Sequence, residues 1–147
     1  MEWQFEWLSF IYWLGKSSDN KFLLFLIKTK RSHRMNFETK VEQYGATLIS
    51  NVDRLNAQNA SELKAELVLL NNKGINNIIV DLSETKYCDS SGLSALLMGN
   101  RLCKDTSGKF ILCGLQNNVM KMIKIAQLDK VLLFEENHTA AISTIKA

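Results

Sequence analysis

Two short, unbroken apolar runs constrain this chain more than any other feature. N-I-I-V-D-L (residues 77–82) and K-F-I-L-C (residues 109–113) are too short to be helices of ordinary length. They also lack the strict alternation of a strand with one wet face. Runs of this kind suit strands buried on both faces, and therefore a largely parallel sheet covered by helices.

The segments around these runs carry helical spacing. After Asn56, Ala60, Leu63, Leu67 and Leu70 recur on one helical face, and Asn56 is a suitable N-cap. Lys73-Gly74 closes that helix. Leu93, Leu96, Leu97 and Cys103 mark a second helix that stops near Ser107-Gly108, and Val119, Met122, Ile123 and Ala126 a third, capped by Asn117 or Asn118. Residues 36–43 and 46–50 read as a hairpin turning at Tyr44-Gly45; residues 131–134 read as a last strand and 138–145 as a last helix. The order is β-β-α-β-α-β-α-β-α, an α/β layer structure with a mixed, mostly parallel sheet of about four or five strands and about four helices. Right-handed crossovers place the loops after the parallel strands on one edge of the sheet, where ligands and partners are met.

At 147 residues, with 46% hydrophobic composition, the chain can bury one domain-sized core. Its net charge of +3 is localised. Residues 1–34 hold six Lys/Arg against three Asp/Glu, whereas residues 35–147 balance twelve against twelve. The balanced part has no basic footprint for direct nucleic-acid binding. The three cysteines (Cys88, Cys103, Cys113) show no C-x-x-C spacing and no fourth ligand for zinc, so they read as reduced, buried thiols; neither a metal site nor a cofactor is expected.

Residues 1–34 differ in character from the remainder of the chain. All three tryptophans lie within the first thirteen residues, F-L-L-F-L-I comes next, and then the basic K-T-K-R-S-H-R. Neither apolar run approaches the ~20 residues that cross a bilayer, and the charge order is not that of a secretory signal. Three readings stand for this atypical extension: an interfacial anchor, a docking element for a partner, or a start assigned upstream of a natural start at Met35. The last is the preferred one, which leaves a membrane role little room.

The segment most suggestive of function is Y-C-D-S-S-G-L-S-A-L-L, residues 87–97, at a strand-to-helix junction. A nucleophilic serine needs a base, yet the only histidines are His33 and His138, and no G-x-S-x-G is present. A nucleotide cradle lacks its glycine-rich loop, and Asp89 would repel a phosphate. No catalytic residue is assigned. Helix capping by Ser90 or Ser91 explains one such residue, but not Asp-Ser-Ser-Gly as a set. A serine hydroxyl receiving a phosphoryl group from another protein is the remaining option. The helix dipole tolerates the added charge of roughly −1.5 to −2, while an interface built over Asp89 would not.

I-I-V-D-L-S-E-T-K-Y-C-D-S-S-G-L-S-A-L-L resembles the signature of STAS domains, in particular the stand-alone bacterial anti-sigma factor antagonists of the SpoIIAA and RsbV type. The resemblance runs from about Met35 to Ile145 and leaves residues 1–34 uncovered. It implies a cytoplasmic switch in transcription control. The unphosphorylated protein binds an anti-sigma factor that is also a serine kinase, phosphorylation of the first serine breaks the complex, and a PP2C-type phosphatase restores it. The phosphoacceptor role falls on Ser90, and the partner-binding role on Asn56, Asp89, Ser90, Ser91 and Gly92, with Gly92 permitting close backbone approach. One departure stands out. The family pattern G-E-L-D-x-x-x-A is matched here by D-R-L-N-A-Q-N-A, which puts Asn56 where an aspartate is usual and Asp53 three residues earlier. The competing expectation is a STAS module that is never phosphorylated and serves a lipid-transport or stress-signalling assembly.

Overall fold

A computed structural model describes residues 35–147, so the three readings of residues 1–34 fall outside the described residues. The elements are β1 (Phe37–Glu42), β2 (Gly45–Ser50), β3 (Arg54–Leu55), α1 (Ala57–Asn72), β4 (Ile78–Asp81), β5 (Tyr87–Cys88), α2 (Ser90–Asp105), β6 (Phe110–Cys113), α3 (Asn117–Ile125), β7 (Leu133–Glu135) and α4 (His138–Lys146).

The main sheet has the order β1-β2-β4-β6-β7. The β1–β2 hairpin is antiparallel and every later pairing is parallel. The two apolar runs are its central strands, and Ile78, Ile79, Val80, Phe110, Ile111, Leu112 and Cys113 are all buried. Alternate residues face opposite cores. Ile78, Val80, Phe110 and Leu112 pack with Leu63 and Leu67 of α1, Leu93 and Leu96 of α2, and Val119 and Ile123 of α3. Ile79, Ile111 and Cys113 face Ala141, Ile142 and Ile145 of α4. Three helices thus cover one face and one covers the other, which is why neither central strand alternates.

The helical stripe of α1 is confirmed, with Ala60, Leu63, Leu67 and Leu70 all buried and Asn56 as its N-cap. Gly74 comes after the C-cap at φ +83, a conformation that suits glycine, and Ile75 N–H closes the helix on Leu70 O at 3.1 Å. Several boundaries differ from the sequence expectations. The hairpin turns at Gln43-Tyr44, one residue early, because Gly45 already pairs with Glu42. Gln116, not Asn117 or Asn118, is the N-cap of α3, and its side chain makes no capping bond. The last strand starts later than expected. Leu128–Lys130 form a 3-10 turn after Gln127 at φ 58, and Leu132 turns into the core before β7 begins.

The pair β3 and β5 is absent from the expected element order. These two-residue strands form their own parallel sheet, with Arg54 opposite Tyr87 and Leu55 opposite Cys88. Leu55 and Cys88 are fully buried, and α2 lies close over them. A Cβ at Gly92 would come within 2.6 Å of Cys88 Sγ and 2.8 Å of Leu55 O. The close approach that Gly92 permits is therefore internal, to the chain's own β3 and β5.

Gly92→Ala is expected to cost about 1–3 kcal/mol, the usual range for overpacking a tight contact. Urea unfolding reads this as a lowered midpoint, and a wild-type midpoint would show that the helix can ride up without strain. The cysteines give a second test. Burial pushes the Cys88, Cys103 and Cys113 thiols from 9.0 up to about 12, with Asp89 adding to the shift at Cys88 and Asp81 at Cys113. At pH 8 a thiol reagent should label none of the three quickly in the folded protein and all three in guanidinium. Unfolded thiols ionise near 9 while the folded ones hold their protons, so stability should fall as pH rises from 9 towards 12. Flat stability across that window would contradict the burial of the thiols.

Candidate functional site

The parallel pairing of β3 with β5 brings the two motif segments together. Asp89 N–H donates to Leu55 O at 3.0 Å, and the residue after each short strand, Asn56 or Asp89, caps a helix. The N-termini of α1 and α2 consequently start side by side at the C-terminal edge of the sheet. In chain order these caps are far apart, and only the mini-sheet makes them neighbours.

At α1, Asn56 Oδ1 accepts from Gln58 N at 3.0 Å and from Asn59 N at 3.4 Å. Asn59 Oδ1 accepts in return from Asn56 N at 2.9 Å, completing a capping box, and Asn59 Nδ2 donates to Arg54 O at 2.8 Å. Asn56 therefore does the capping work of an aspartate without its charge.

At α2 the cap is Asp89, not Ser90 or Ser91. Its Oδ1 accepts from Gly92 N at 3.0 Å, and its carbonyl accepts from Leu93 N at 2.9 Å. Helix α2 starts at Ser90, so both serines lie in its first turn. A carboxylate outcompetes a hydroxyl here because it brings negative charge to the positive end of the helix dipole. Ser90 is exposed and Ser91 half-buried, and neither hydroxyl has a hydrogen-bond partner among the described residues. Ser90 is thus the more accessible hydroxyl of the pair.

Among the described residues, no hydrogen bond ties the Ser90 hydroxyl to a base. His138, the sole histidine among the described residues, has Nε2 2.8 Å from Thr47 Oγ1 and 3.4 Å from Tyr44 OH, on the face covered by α4. Cys88, adjacent to the motif, is held neutral by burial and by the charge of Asp89. A cavity of about 310 Å3 is lined by Leu115, Met120, Phe134, Glu135 and Glu136, away from residues 89–92. No group of three potential metal ligands occurs among the described residues. No helix among them is long and apolar enough to cross a membrane.

The site so built contains all five residues singled out in the sequence, arranged as two helix starts on one short parallel pair. It also contains residues that sequence reading missed: Leu55 and Cys88 beneath, and Arg54 with Tyr87 above. Arg54 Cζ lies 5.7 Å from the centre of the Tyr87 ring. A shared pattern was there to be found, since both R-L-N and Y-C-D put a buried residue between an outward side chain and a helix cap.

Comparison with known proteins bears on this arrangement. The chain is 27% identical over 92 residues to BtrV of Bordetella bronchiseptica, a protein named as an anti-sigma factor antagonist, covering 63% of this chain and 79% of BtrV. An anti-sigma-factor antagonist (STAS) domain protein from Planctomyces limnophilus superimposes with a TM-score of 0.71 at 14% identity, covering 77% of this chain and 100% of that one. The anti-sigma factor antagonist SpoIIAA in its unphosphorylated form gives 0.66 at 17% identity, covering 75% and 96%. The Bacillus SpoIIAA structure in the phosphorylated form gives 0.59 at 18%, covering 74% and 98%. At these identities the structural likenesses establish the fold. The STAS domain family pattern itself matches residues 39–141, and the chain belongs to the STAS domain family.

Proposed function

We propose that this chain is an anti-sigma factor antagonist operating as a phosphorylation-controlled binding switch in the cytoplasm. Its unphosphorylated form binds an anti-sigma factor that is also a serine kinase, and so releases a sigma factor. The kinase transfers the γ-phosphoryl group of ATP to Ser90 Oγ: a new P–O bond forms, ADP leaves, and the hydroxyl proton passes to the kinase. A PP2C-type phosphatase reverses this with water, returning inorganic phosphate.

One observation carries the reading. Ser90 offers an exposed, unpartnered hydroxyl in the first turn of α2, while the cap that holds the helix belongs to Asp89. Modifying Ser90 therefore removes no native hydrogen bond among the described residues. The phosphate meets the favourable end of the helix dipole, so the fold tolerates it. A partner laid over Asn56, Asp89 and Ser91 meets repulsion and a group that is costly to desolvate. The name of BtrV and the existence of SpoIIAA in both phosphorylation states support the same reading. We assign the domain to residues 35–147, with residues 1–34 as an extension.

Ser90→Asp should abolish partner binding with little change in thermal stability, and Ser90→Ala should bind constitutively. Pull-down from native cells, with melting curves on both variants, checks this; equal binding by both would sink the switch. Intact-mass measurement with site mapping should find one phosphate on Ser90. Its absence under every growth condition would favour a static interaction module. Deleting residues 1–34 should leave a folded protein with native-like circular dichroism.

A further inference from the structure

We propose that Arg54 and Tyr87 form a preorganised anchor on the partner-binding face and that they receive a carboxylate side chain, Asp or Glu, of the partner. This rests on the reading of Ser90 as the switch and extends it to the chemistry of the bound surface.

The mini-sheet supplies the geometry. Leu55 and Cys88 point inward and are fully buried, so their neighbours Arg54 and Tyr87, which pair across the strands, stand outward on the same step. Tyr87 is 43% exposed, a large aromatic surface left at the rim of the motif. The Arg54 guanidinium lies over its ring, Cζ 5.7 Å from the centre. A guanidinium held over a ring at this distance still has N–H groups to offer a carboxylate. It also restricts a side chain that would otherwise lose rotamer freedom on binding. Arg and Tyr are the residue types in which binding energy concentrates at interfaces.

Charge decides what the anchor receives. Asn56 is neutral and engaged in its capping box, and Asp89 is engaged with Gly92 N–H. One step back, exposed Asp53 and Lys86 carry opposite charges that cancel only in sum; what joins them is a backbone bond, Lys86 N–H donating to Asp53 O at 2.8 Å. No ion pair to Arg54 occurs among the described residues. Arg54 is therefore a cation held against an aromatic ring on this face, with no carboxylate paired to it among the described residues. A carboxylate is the group that pairs with a guanidinium edge-on, through two parallel hydrogen bonds. The switch then acts on the same contact, because a phosphoryl group on Ser90 places negative charge beside the incoming carboxylate.

The test uses full-length protein. The probe is the protein that Ser90→Ala captures from native cells and Ser90→Asp does not, purified and titrated against variants made in the Ser90→Ala background. Arg54→Glu should weaken binding by roughly tenfold or more, and Tyr87→Ala by a comparable factor, with unfolding midpoints unchanged. Arg54→Lys should lose part of the affinity, since an ammonium cannot offer the fork. Cross-linking from position 54 identifies the facing acid, and reversing it to Lys should restore binding to Arg54→Glu. Unchanged binding by Arg54→Glu, or no restoration by the reversed partner, overturns the anchor and leaves the Ser90 reading intact. Failure to capture any Ser90-dependent protein overturns that reading and the anchor with it.

Discussion

The backbone pairing of Leu55 with Cys88 is the contact on which the site depends. Two residues on each side, joined to the next segment by Asp89 N–H on Leu55 O at 3.0 Å, set two helix starts in register. Because the pairing is parallel, both chains leave it in the same direction, and each enters a helix at once. The buried side chains hold the pair from below, and α2 closes over it through the one residue, Gly92, that has no Cβ to collide with Leu55 and Cys88. Remove any of these and Asn56 and Asp89 remain good caps, but of helices whose ends no longer share a surface.

Asp89 and Ser90 divide the labour at the start of α2. Had a serine been the cap, phosphorylating it would exchange a capping hydroxyl for a bulky dianion and disturb an interaction of about 1 kcal/mol. With Asp89 as the cap, the Ser90 hydroxyl is free of structural duty. The helix keeps its hydrogen bonds and the dipole accommodates the added charge. Regulation through Ser90, as proposed, would then need no second conformation. The change lies in the surface charge met by a partner, which fits a floor this tightly packed.

The sheet is legible in the sequence because its information is local and strong. Residues 77–82 and 109–113 are unbroken apolar runs, and α1 repeats its buried residues at helical spacing without exception. The cap of α1 is equally clear, since Asn56 stands alone before the periodicity begins. At α2 three capping residues, Asp89, Ser90 and Ser91, stand in succession, and sequence alone cannot choose among them; the dipole's preference for a carboxylate does. Strands β3 and β5 are invisible for a different reason. Two residues have no period, and their pairing joins segments more than thirty residues apart. Gly92 looks open to a partner in the sequence because its true neighbours come from that unseen pair. Likewise Arg54 and Tyr87 carry no motif and become a unit only through the register.

Asn56 can be understood from the same surface. It accepts from Gln58 N and Asn59 N as an aspartate would, so the start of α1 is unaffected by the missing charge. The charge balance near Ser90 is not. With an acid at both caps, the unphosphorylated face would already be negative, and phosphorylation would only deepen a repulsion of the same sign. Here the charges of Asp89 and Arg54 cancel only in sum, and on the proposed reading a phosphoryl group on Ser90 would take the face from near neutrality to roughly −1.5 to −2. On that reading the phosphate alone would set the sign of the local charge, which is the condition under which a carboxylate-bearing partner could be admitted in one state and refused in the other. The departure from the family pattern at residue 56 thus bears on which partner the surface can discriminate, while the hydrogen bonds that build the surface stay as they are.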